Sequence, residues 1–276
     1  MKIIDAHQHF WKFDPVRDRW INDEMKVIQK DFLPADLEML LKENAVDGTV
    51  VVQSDQSESE NEFQLNNAEQ HDFIKGVVGW VDLQSDEIDD KLARYKQFKK
   101  LKGFRHVLQG EAQRDLMLQP AFQRGIDLLS KFGFTYDLLI LPDQLRYAKQ
   151  LAANFPRQKF VLDHLAKPGI KSGEINEWKK DIAALASHEN VYCKISGMVT
   201  EADWKQWKKN DFQPYLDVVV NAFGAKRIMF GSDWPVCLVA ASYKEMKEIV
   251  DDYFSSFSQS EQDAFFGATA IEFYNL

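Results

Sequence analysis

Short apolar runs rich in β-branched residues recur along the chain, and amphipathic segments separate many of them. Eight of these runs are predicted to be strands because of their length and composition. They cover residues 2–8, 48–54, 76–83, 101–108, 134–141, 159–165, 191–197 and 227–233. Apolar residues at helical spacing predict helices within 33–46, 86–101, 142–155, 175–188 and 241–254, and a closing helix within 260–274. Such alternation favours a parallel sheet with right-handed crossovers.

The length of the chain favours a closed barrel over an open sheet. With 276 residues, the chain suits one (β/α)₈ barrel, which typically takes about 250 residues. No G-x-G-x-x-G follows the first strand, so the usual marker of a dinucleotide-binding sheet is missing. We therefore predict an α/β fold: a single TIM barrel over residues 1–276 with a C-terminal closing helix. The long segment from Phe10 to Phe32 is expected to fold over the barrel mouth.

Composition and charge restrict the partners of the chain. The net charge is −9 and the pI is about 5.2, whereas a nucleic-acid-binding protein needs a basic face. No apolar stretch reaches the roughly 18 residues of a membrane helix, and the first residues lack a secretory pattern. Cys193 and Cys237 stand in apolar contexts, which favours buried, reduced thiols. We expect a cytoplasmic protein that binds a small molecule and no nucleic acid or membrane. Assembly into a homo-oligomer is possible.

Polar side chains end the first and the last predicted strand. Asp5, His7 and His9 should share one face, because strand side chains alternate. Asp233 follows the eighth strand, which neighbours the first in a closed barrel, so it should lie near both histidines. Alone, H-x-H is more often a hydrogen-bonded core pair, and Asp233 could be a cap. Active sites of barrels lie at the carboxyl ends of the strands, and in that position His7, His9 and Asp233 are instead candidate metal ligands.

The fourth and sixth strands end in further candidates. His164 is expected to share a face with Leu162 and to polarise a carbonyl or bind a metal ion, while Asp163 should point the other way. Arg105 and His106 are adjacent, so only one of them can point squarely into the barrel. Arg105 could clamp a carboxylate or hydroxyl groups. A salt bridge to a neighbouring helix is an equally good hypothesis for either residue.

Other polar and aromatic residues give weaker signals. Gln53 lies on the second strand and is a candidate for binding substrate. Trp11 and Trp234 flank the mouth, where they could stack on a sugar ring. Lys194 and Ser196 share a face of the seventh strand. Packing is the more common role for residues of these kinds.

Five sequence blocks, in this order, give the chain a family resemblance: DAHQHFWKFDP (5–15), GFRHVLQGE (103–111), LDHLAKP (162–168), YCKISGM (192–198) and MFGSDWPV (229–236). With them the chain resembles the amidohydrolase superfamily, of the amidohydrolase 2 type. Within it, the chain is similar to the sugar-lactone hydrolases typified by L-fuconolactonase and L-rhamnonolactonase. The resemblance covers nearly the whole chain and implies a barrel, a lactone substrate and hydrolysis by water.

The chain also departs from the metal-rich members of that superfamily. They carry Lys or Glu at the end of the fourth strand and a histidine at the end of the fifth. Here Arg105 and His106 end the fourth strand, and the fifth reads YDLLILP. A two-metal centre is therefore not expected. A single zinc ion on His7, His9 and Asp233, or catalysis without metal, both stay open.

We predict a mechanism in which these residues have assigned roles, with or without a zinc ion. Asp233 would be the general base for water, and His164, with His7 and His9, would polarise the carbonyl. Arg105 and His106 would position the ring hydroxyls or the leaving oxygen. The alternatives are a metal-dependent decarboxylase, another hydrolase of the superfamily and a catalytically inactive binding barrel.

Overall fold

The predicted strands form one parallel sheet in a computed structural model that describes residues 2–276. The sheet order is β1 to β8. The strands are β1 Ile4–Gln8, β2 Gly48–Val52, β3 Ile74–Gly79, β4 Leu101–His106, β5 Thr135–Leu138, β6 Phe160–Leu162, β7 Val191–Ile195 and β8 Ile228–Phe230. The residues after β8 return to β1: the Asp233 amide donates to the His7 carbonyl at 2.8 Å, and the His9 amide donates to the Trp234 carbonyl at 2.7 Å. The predicted (β/α)₈ barrel is confirmed.

Helices follow the strands in the order that the pattern predicts. They are α1 Pro34–Glu43, α2 Glu58–Gln70, α3 Ile88–Tyr95, α4 Pro120–Phe132, α5 Leu145–Asn154, α6 Asn176–Ala186, α7 Lys209–Phe223 and α8 Tyr243–Phe254. The closing stretch comprises α9 Gln259–Asp263, a π-helical turn Ala264–Ala268 and α10 Thr269–Tyr274. Five helices and the closing stretch match the predicted segments, although the prediction for α3 runs on to the first residue of β4.

The sequence pattern did not single out α2, α4 or α7. In α2 the reason is physical, because its buried face carries Glu60, Asn61 and Gln64. These side chains bond to neighbouring loops: Asn61 Nδ2 donates to the Trp80 carbonyl, and Gln64 Nε2 donates to the Phe10 carbonyl. A helix that buries polar groups lacks the apolar stripe on which prediction depends.

The apolar core has two parts. The larger part lies between the barrel and its helices. The smaller part fills the lower half of the barrel, where strand residues meet residues of the C-terminal helix. Its members are Ile4, Ala6, Val50, Val52, Val78, Val161, Met229, Ala270, Phe273 and Tyr274. Since apolar side chains fill this end of the barrel, the cavity that enters the barrel lies at the other end.

A bulge in β1 changes which side chains enter the barrel. The pairing of β1 with β2 shifts register between Asp5 and Gln8, and such a bulge re-aims the side chains that follow it. Asp5 therefore bonds outward to Ser232 and to Tyr243 of α8, whereas His7 points inward. The expectation that Asp5 shares a face with His7 and His9 is wrong for this reason.

The structure bears on the two cysteines and on membrane-spanning helices. Cys193 and Cys237 are both buried and free, as expected. Among residues 2–276, none of the helices combines the length and the apolar character that a membrane span requires.

Candidate active site

A cavity of about 390 Å³ lies at the carboxyl ends of the strands. Its floor contains His9, His164, Arg105 and Asp233, each only 4–5% exposed. We call these four residues the mouth tier. They come from the residue after β1, the turn after β6, β4 and the segment after β8, so only the closed barrel brings them together.

Asp233 lies at the centre of the histidines. Its Oδ1 is 3.3 Å from His9 Nε2, 3.8 Å from His7 Nε2 and 3.9 Å from His164 Nε2. The rings of His7 and His164 are 4.4 Å apart between centroids. The structure therefore brings together the four residues on which the functional hypothesis rests.

The proton on His9 can be placed from its hydrogen bonds. His9 Nδ1 is 2.8 Å from the Val52 carbonyl oxygen, which can only accept, so Nδ1 carries the proton. The Nε2 of a neutral His9 is then an acceptor, and it faces another acceptor, Asp233 Oδ1. Two acceptors 3.3 Å apart need a proton or a cation between them.

His164 stands on unusual backbone. Its φ is 52°, and the next three residues, Leu165 to Lys167, also have positive φ. Non-glycine residues rarely adopt this region, and such strain clusters at functional sites. Because β6 ends at Leu162, strand alternation no longer applies, and both Asp163 and His164 point into the barrel. The expectation that Asp163 points away is therefore wrong.

Ser196 and Gly197 after β7 hold the His164 ring. Ser196 Oγ lies 2.9 Å from His164 Nδ1. Gly197 has φ +62°, and a Cβ there would lie 2.5 Å from His164 Nδ1. Glycine is thus required both by the backbone and by the ring that lies against it.

A second set of charged residues lies beneath the mouth tier. His7, Asp137, Asp163 and Lys194 are each 0% exposed, and we call them the buried tier. Lys194 Nζ donates to Asp137 and lies 3.1 Å from both Asp163 Oδ1 and His7 Nδ1. Tyr274 of α10 donates to Asp137 from the plugged end. Buried charges persist only where partners satisfy them, and here the partners come from four strands.

Arg105 connects the two tiers. Its guanidinium donates to Asp163 Oδ2 at 3.0 Å and to Gln53 Oε1 at 2.9 Å. Gln53 is fully buried, so it contacts Arg105 rather than the cavity. Gln53 was predicted to bind substrate, and its placement makes it a support for Arg105.

Burial and neighbouring charges set the pKa values of the mouth tier. Burial lowers the pKa of His164 to about 4, so the ring is neutral at pH 7. Burial raises the pKa of Asp233, but the imidazoles of His164, His9 and His7 around it favour the carboxylate and lower that pKa more. The pKa of Asp233 therefore lies well below its ordinary value, and the carboxylate is ionised.

The charges of the buried tier balance only together with that of Arg105. Burial lowers the pKa of His7 well below its usual range. Burial also raises the pKa of Asp163, but Lys194 and His7 outweigh it, so the pKa of Asp163 lies well below its ordinary value. Burial raises the pKa of Asp137 to about 6 despite its ion pair with Lys194. Asp137 and Asp163 together balance Lys194 and Arg105.

His106 does not join these groups. Arg105 takes the inward position, as strand alternation requires of one residue of the pair. The His106 ring lies between Trp80 Nε1, at 3.3 Å, and Glu111 Oε1, at 2.7 Å, and it is not part of the cavity wall. His106 therefore has no contact with the cavity through which it could play its predicted catalytic role.

Trp11 and Trp234 also lie outside the cavity. They are 1% and 2% exposed and pack edge-to-face on Phe32. Neither indole has an exposed face on which a sugar ring could stack in the way that was predicted. Trp20 and Trp204 line the cavity instead. Trp20 belongs to the long segment after β1, which reaches the mouth as expected.

The sequence contains a signal for the buried tier, although packing was the role expected of Lys194. Lys194 stands inside an apolar strand, and Asp137 stands inside another. A charge within a buried strand needs a partner of opposite sign, so the two could have been paired.

The chain is similar over its whole length to known proteins. The amidohydrolase family profile matches residues 4–276. An L-fucono-1,5-lactonase from Burkholderia multivorans is 36% identical over 284 residues, covering 99% of this chain and 96% of that protein. One from Burkholderia ambifaria is also 36% identical and covers 99% and 95%. A crystal structure of a Burkholderia multivorans amidohydrolase with bound zinc has a TM-score of 0.97 at 36% identity and covers 100% of both chains.

Proposed function

The chain belongs to the amidohydrolase family and hydrolyses a sugar lactone, and we propose that its substrate is an aldonolactone of the L-fucono-lactone or L-rhamnono-lactone type. The observation that carries this proposal is one carboxylate, at the floor of the cavity, that is surrounded by three imidazoles. The proposal includes a role in carbohydrate catabolism in the cytoplasm.

Asp233 is the general base of this mechanism. It is ionised at neutral pH, lines the cavity and has no cationic side chain that neutralises it permanently. It takes a proton from a water molecule as the oxygen of that water attacks the lactone carbonyl. A backbone hydrogen bond fixes the position of Asp233, because the Asp233 amide donates to the His7 carbonyl.

The imidazoles and Arg105 bind the carbonyl oxygen as it becomes negative. Neutral His164 and the Arg105 guanidinium both reach the cavity and can donate hydrogen bonds to an oxyanion. Such donors, fixed before the reaction, stabilise the transition state without reorganisation. Gln53 and Asp163 hold Arg105 in place.

Collapse of the tetrahedral intermediate completes the reaction. The carbonyl re-forms, the bond between the carbonyl carbon and the ring oxygen breaks, and Asp233 returns its proton to the leaving oxygen. The products are a hydroxyl group and a carboxylic acid, which releases one proton to neutral solution. The indole rings of Trp20 and Trp204 form the apolar wall that the sugar ring contacts.

The donor set also fits one zinc ion. His7, His164 and Asp233 offer ligand atoms within 4.8 Å of one another, and His9 Nε2 is 3.2 Å from His7 Nε2. Two ligands of a tetrahedral zinc ion are about 3.4 Å apart, since each bond is about 2.1 Å long. When bound, the ion would supply a Lewis acid for the carbonyl oxygen. We propose His7, His164 and Asp233, with His9, as its ligands.

A panel of lactones tests the proposed substrate class. Purified protein is incubated with 1,5- and 1,4-lactones of L-fuconic, L-rhamnonic, D-galactonic and D-gluconic acid, and acid release is followed with a pH indicator. We expect hydrolysis of the L-fucono- or L-rhamnono-lactone, and a rate about 10²–10⁴-fold lower with Asp233→Asn. Release of carbon dioxide from an aromatic acid, with every aldonolactone left intact, would overturn the proposal.

A further inference from the structure

His7 Nδ1 faces two partners that require opposite proton positions. Lys194 Nζ lies 3.1 Å from it, and Asp163 Oδ1 lies 3.3 Å from it. An ammonium group only donates hydrogen bonds, and a carboxylate only accepts them. A neutral imidazole carries one proton, so it can satisfy only one of these two partners at Nδ1.

The hydrogen bonds in this structure favour Lys194 as the partner. If Lys194 donates to Nδ1, the proton of His7 is on Nε2 and can be donated to His9 Nε2, which lies 3.2 Å away. His9 in turn donates from Nδ1 to the Val52 carbonyl. Every donor in this series of hydrogen bonds, from Lys194 to the Val52 carbonyl, meets an acceptor. Asp163 Oδ1 then accepts no hydrogen bond from His7 and keeps its ion pair with Lys194 Nζ at 3.1 Å.

A metal ion requires the other form of His7. Zinc binds the lone pair of Nε2, so the proton must be on Nδ1. Metal-ligating histidines usually donate their second N–H to a carboxylate or carbonyl, and Asp163 Oδ1, 3.3 Å from His7 Nδ1, is placed to accept it. Arg105 Nη1 is 3.4 Å from His7 Nε2, but its shorter bond, at 3.0 Å, goes to Asp163 Oδ2.

We propose that Lys194 and Asp163 are positioning residues that select the tautomer of His7. Lys194 holds the Nε2–H form, in which His7 donates a hydrogen bond towards the mouth tier. Asp163 supports the Nδ1–H form, in which His7 is a metal ligand. Exchange between the forms moves one proton from Nε2 to Nδ1 and releases none. The catalytic meaning of the donor form rests on the proposed function; the tautomer and its link to zinc do not.

Nitrogen-15 NMR of histidine tests the tautomer directly in the wild-type protein. Protein with ¹⁵N-labelled histidine is prepared zinc-free, and His7→Gln identifies the His7 signals among the six histidines. We expect a protonated Nε2 and an unprotonated Nδ1 for His7. On addition of zinc, Nδ1 should become the protonated nitrogen. A zinc-free His7 with its proton on Nδ1 would overturn the proposal.

Zinc affinity tests the two positioning residues separately. In Asp137→Asn/Lys194→Met, one buried charge of each sign is removed, so the summed charge near the site stays the same. Asp163 is then the remaining partner of His7 Nδ1, and we expect zinc to bind about 10–100-fold more tightly, the range typical of changes around metal ligands. Asp163→Asn removes the acceptor and should weaken zinc binding by about the same factor.

Lys247→Met/Asp251→Asn is the matched control. It removes an ion pair of α8, with the same change in charge and far from the histidines, and should leave zinc affinity unchanged. Competition calorimetry measures the affinities, and circular dichroism verifies the fold of each variant. Equal zinc affinity in all three variants and wild type would overturn the proposal. Because no lactone is used, failure of the proposed substrate class would leave these results unaffected.

Discussion

The mouth tier and the buried tier contain the same kinds of side chain, yet their surroundings differ. Asp233 and Asp163 are both carboxylates near His7, and the pKa of each lies below its ordinary value. Asp163 is 0% exposed and held by Lys194 and Arg105. Asp233 borders the cavity, and its neighbours are histidines rather than permanent cations. A carboxylate fixed by cations holds structure together, whereas one among neutral imidazoles can exchange a proton with substrate water.

This contrast predicts that a change in the buried tier reduces stability more than catalysis. Asp137→Ala leaves Lys194 with Asp163 as its remaining acid partner and removes the acceptor of Tyr274. Breaking a buried ion pair typically costs about 3–5 kcal/mol, and we expect that loss in the free energy of unfolding, measured with urea. Glu177→Ala, which breaks the exposed pair with Lys180, should cost no more than about 1 kcal/mol. Equal losses in the two variants would contradict the assignment.

A change beside the mouth tier should reduce catalysis more than stability. Gly197→Ala places a methyl group 2.5 Å from His164 Nδ1 and 3.2 Å from Asp233 Oδ2, so at least one of them must move. Displacement of a catalytic group by about 1 Å can cost about 10²-fold, and we expect kcat to fall by that order. Gly173→Ala is the control, since it has a similar φ of +72° and nothing within 4 Å. A kcat equal to that of the control would show that the His164 position is not critical.

The dependence of kcat on pH separates the carboxylate from an ordinary histidine base. The folded-state pKa of His164 is about 4, and that of Asp233 lies lower. Above about pH 4, His164 is neutral and Asp233 is ionised, which are the forms that the mechanism needs. Activity is therefore lost as the pH falls through about 4. We expect a level kcat at higher pH and then a loss of about tenfold per pH unit. A fall in kcat between about pH 8 and about pH 6, where an unperturbed histidine titrates, would contradict this assignment.

The smallest effect is expected at His106, which lies in neither tier. Its ring contacts Trp80 and Glu111 outside the cavity wall. His106→Gln should therefore change kcat by no more than about threefold, since a group that transfers a proton contributes about 10²–10⁴-fold. Steady-state kinetics with the lactone found in the panel measures this. A loss of about 10²-fold or more would restore the catalytic role that the sequence predicted.

The barrel and its strand ends were predictable because they depend on local patterns. Apolar runs marked β1 to β8, and the closure of the barrel then placed Asp233 beside His7 and His9. The bulge after Asp5 could not be read from the pattern, because it depends on how β1 pairs with β2. The left-handed backbone at His164 gave no signal either, since no glycine marks it.

The roles of the aromatic residues and of the buried charges required the folded chain. Trp11 and Trp234 stand in the matching sequence blocks, but packing against Phe32 hides them. Trp20 reaches the cavity through the path of a long loop, which sequence periodicity does not describe. Lys194 and its acids lie on different strands, so only the barrel geometry reveals that they form one set.

The most direct test of the division between the tiers compares kcat and stability in Asp233→Asn. The variant keeps the shape of the side chain and removes the proton acceptor. We expect kcat for the lactone to fall by about 10²–10⁴-fold, while the free energy of unfolding in urea decreases by no more than about 1 kcal/mol. A folded Asp233→Asn protein with kcat close to wild type would remove Asp233 from the mechanism and contradict the role assigned to the mouth tier.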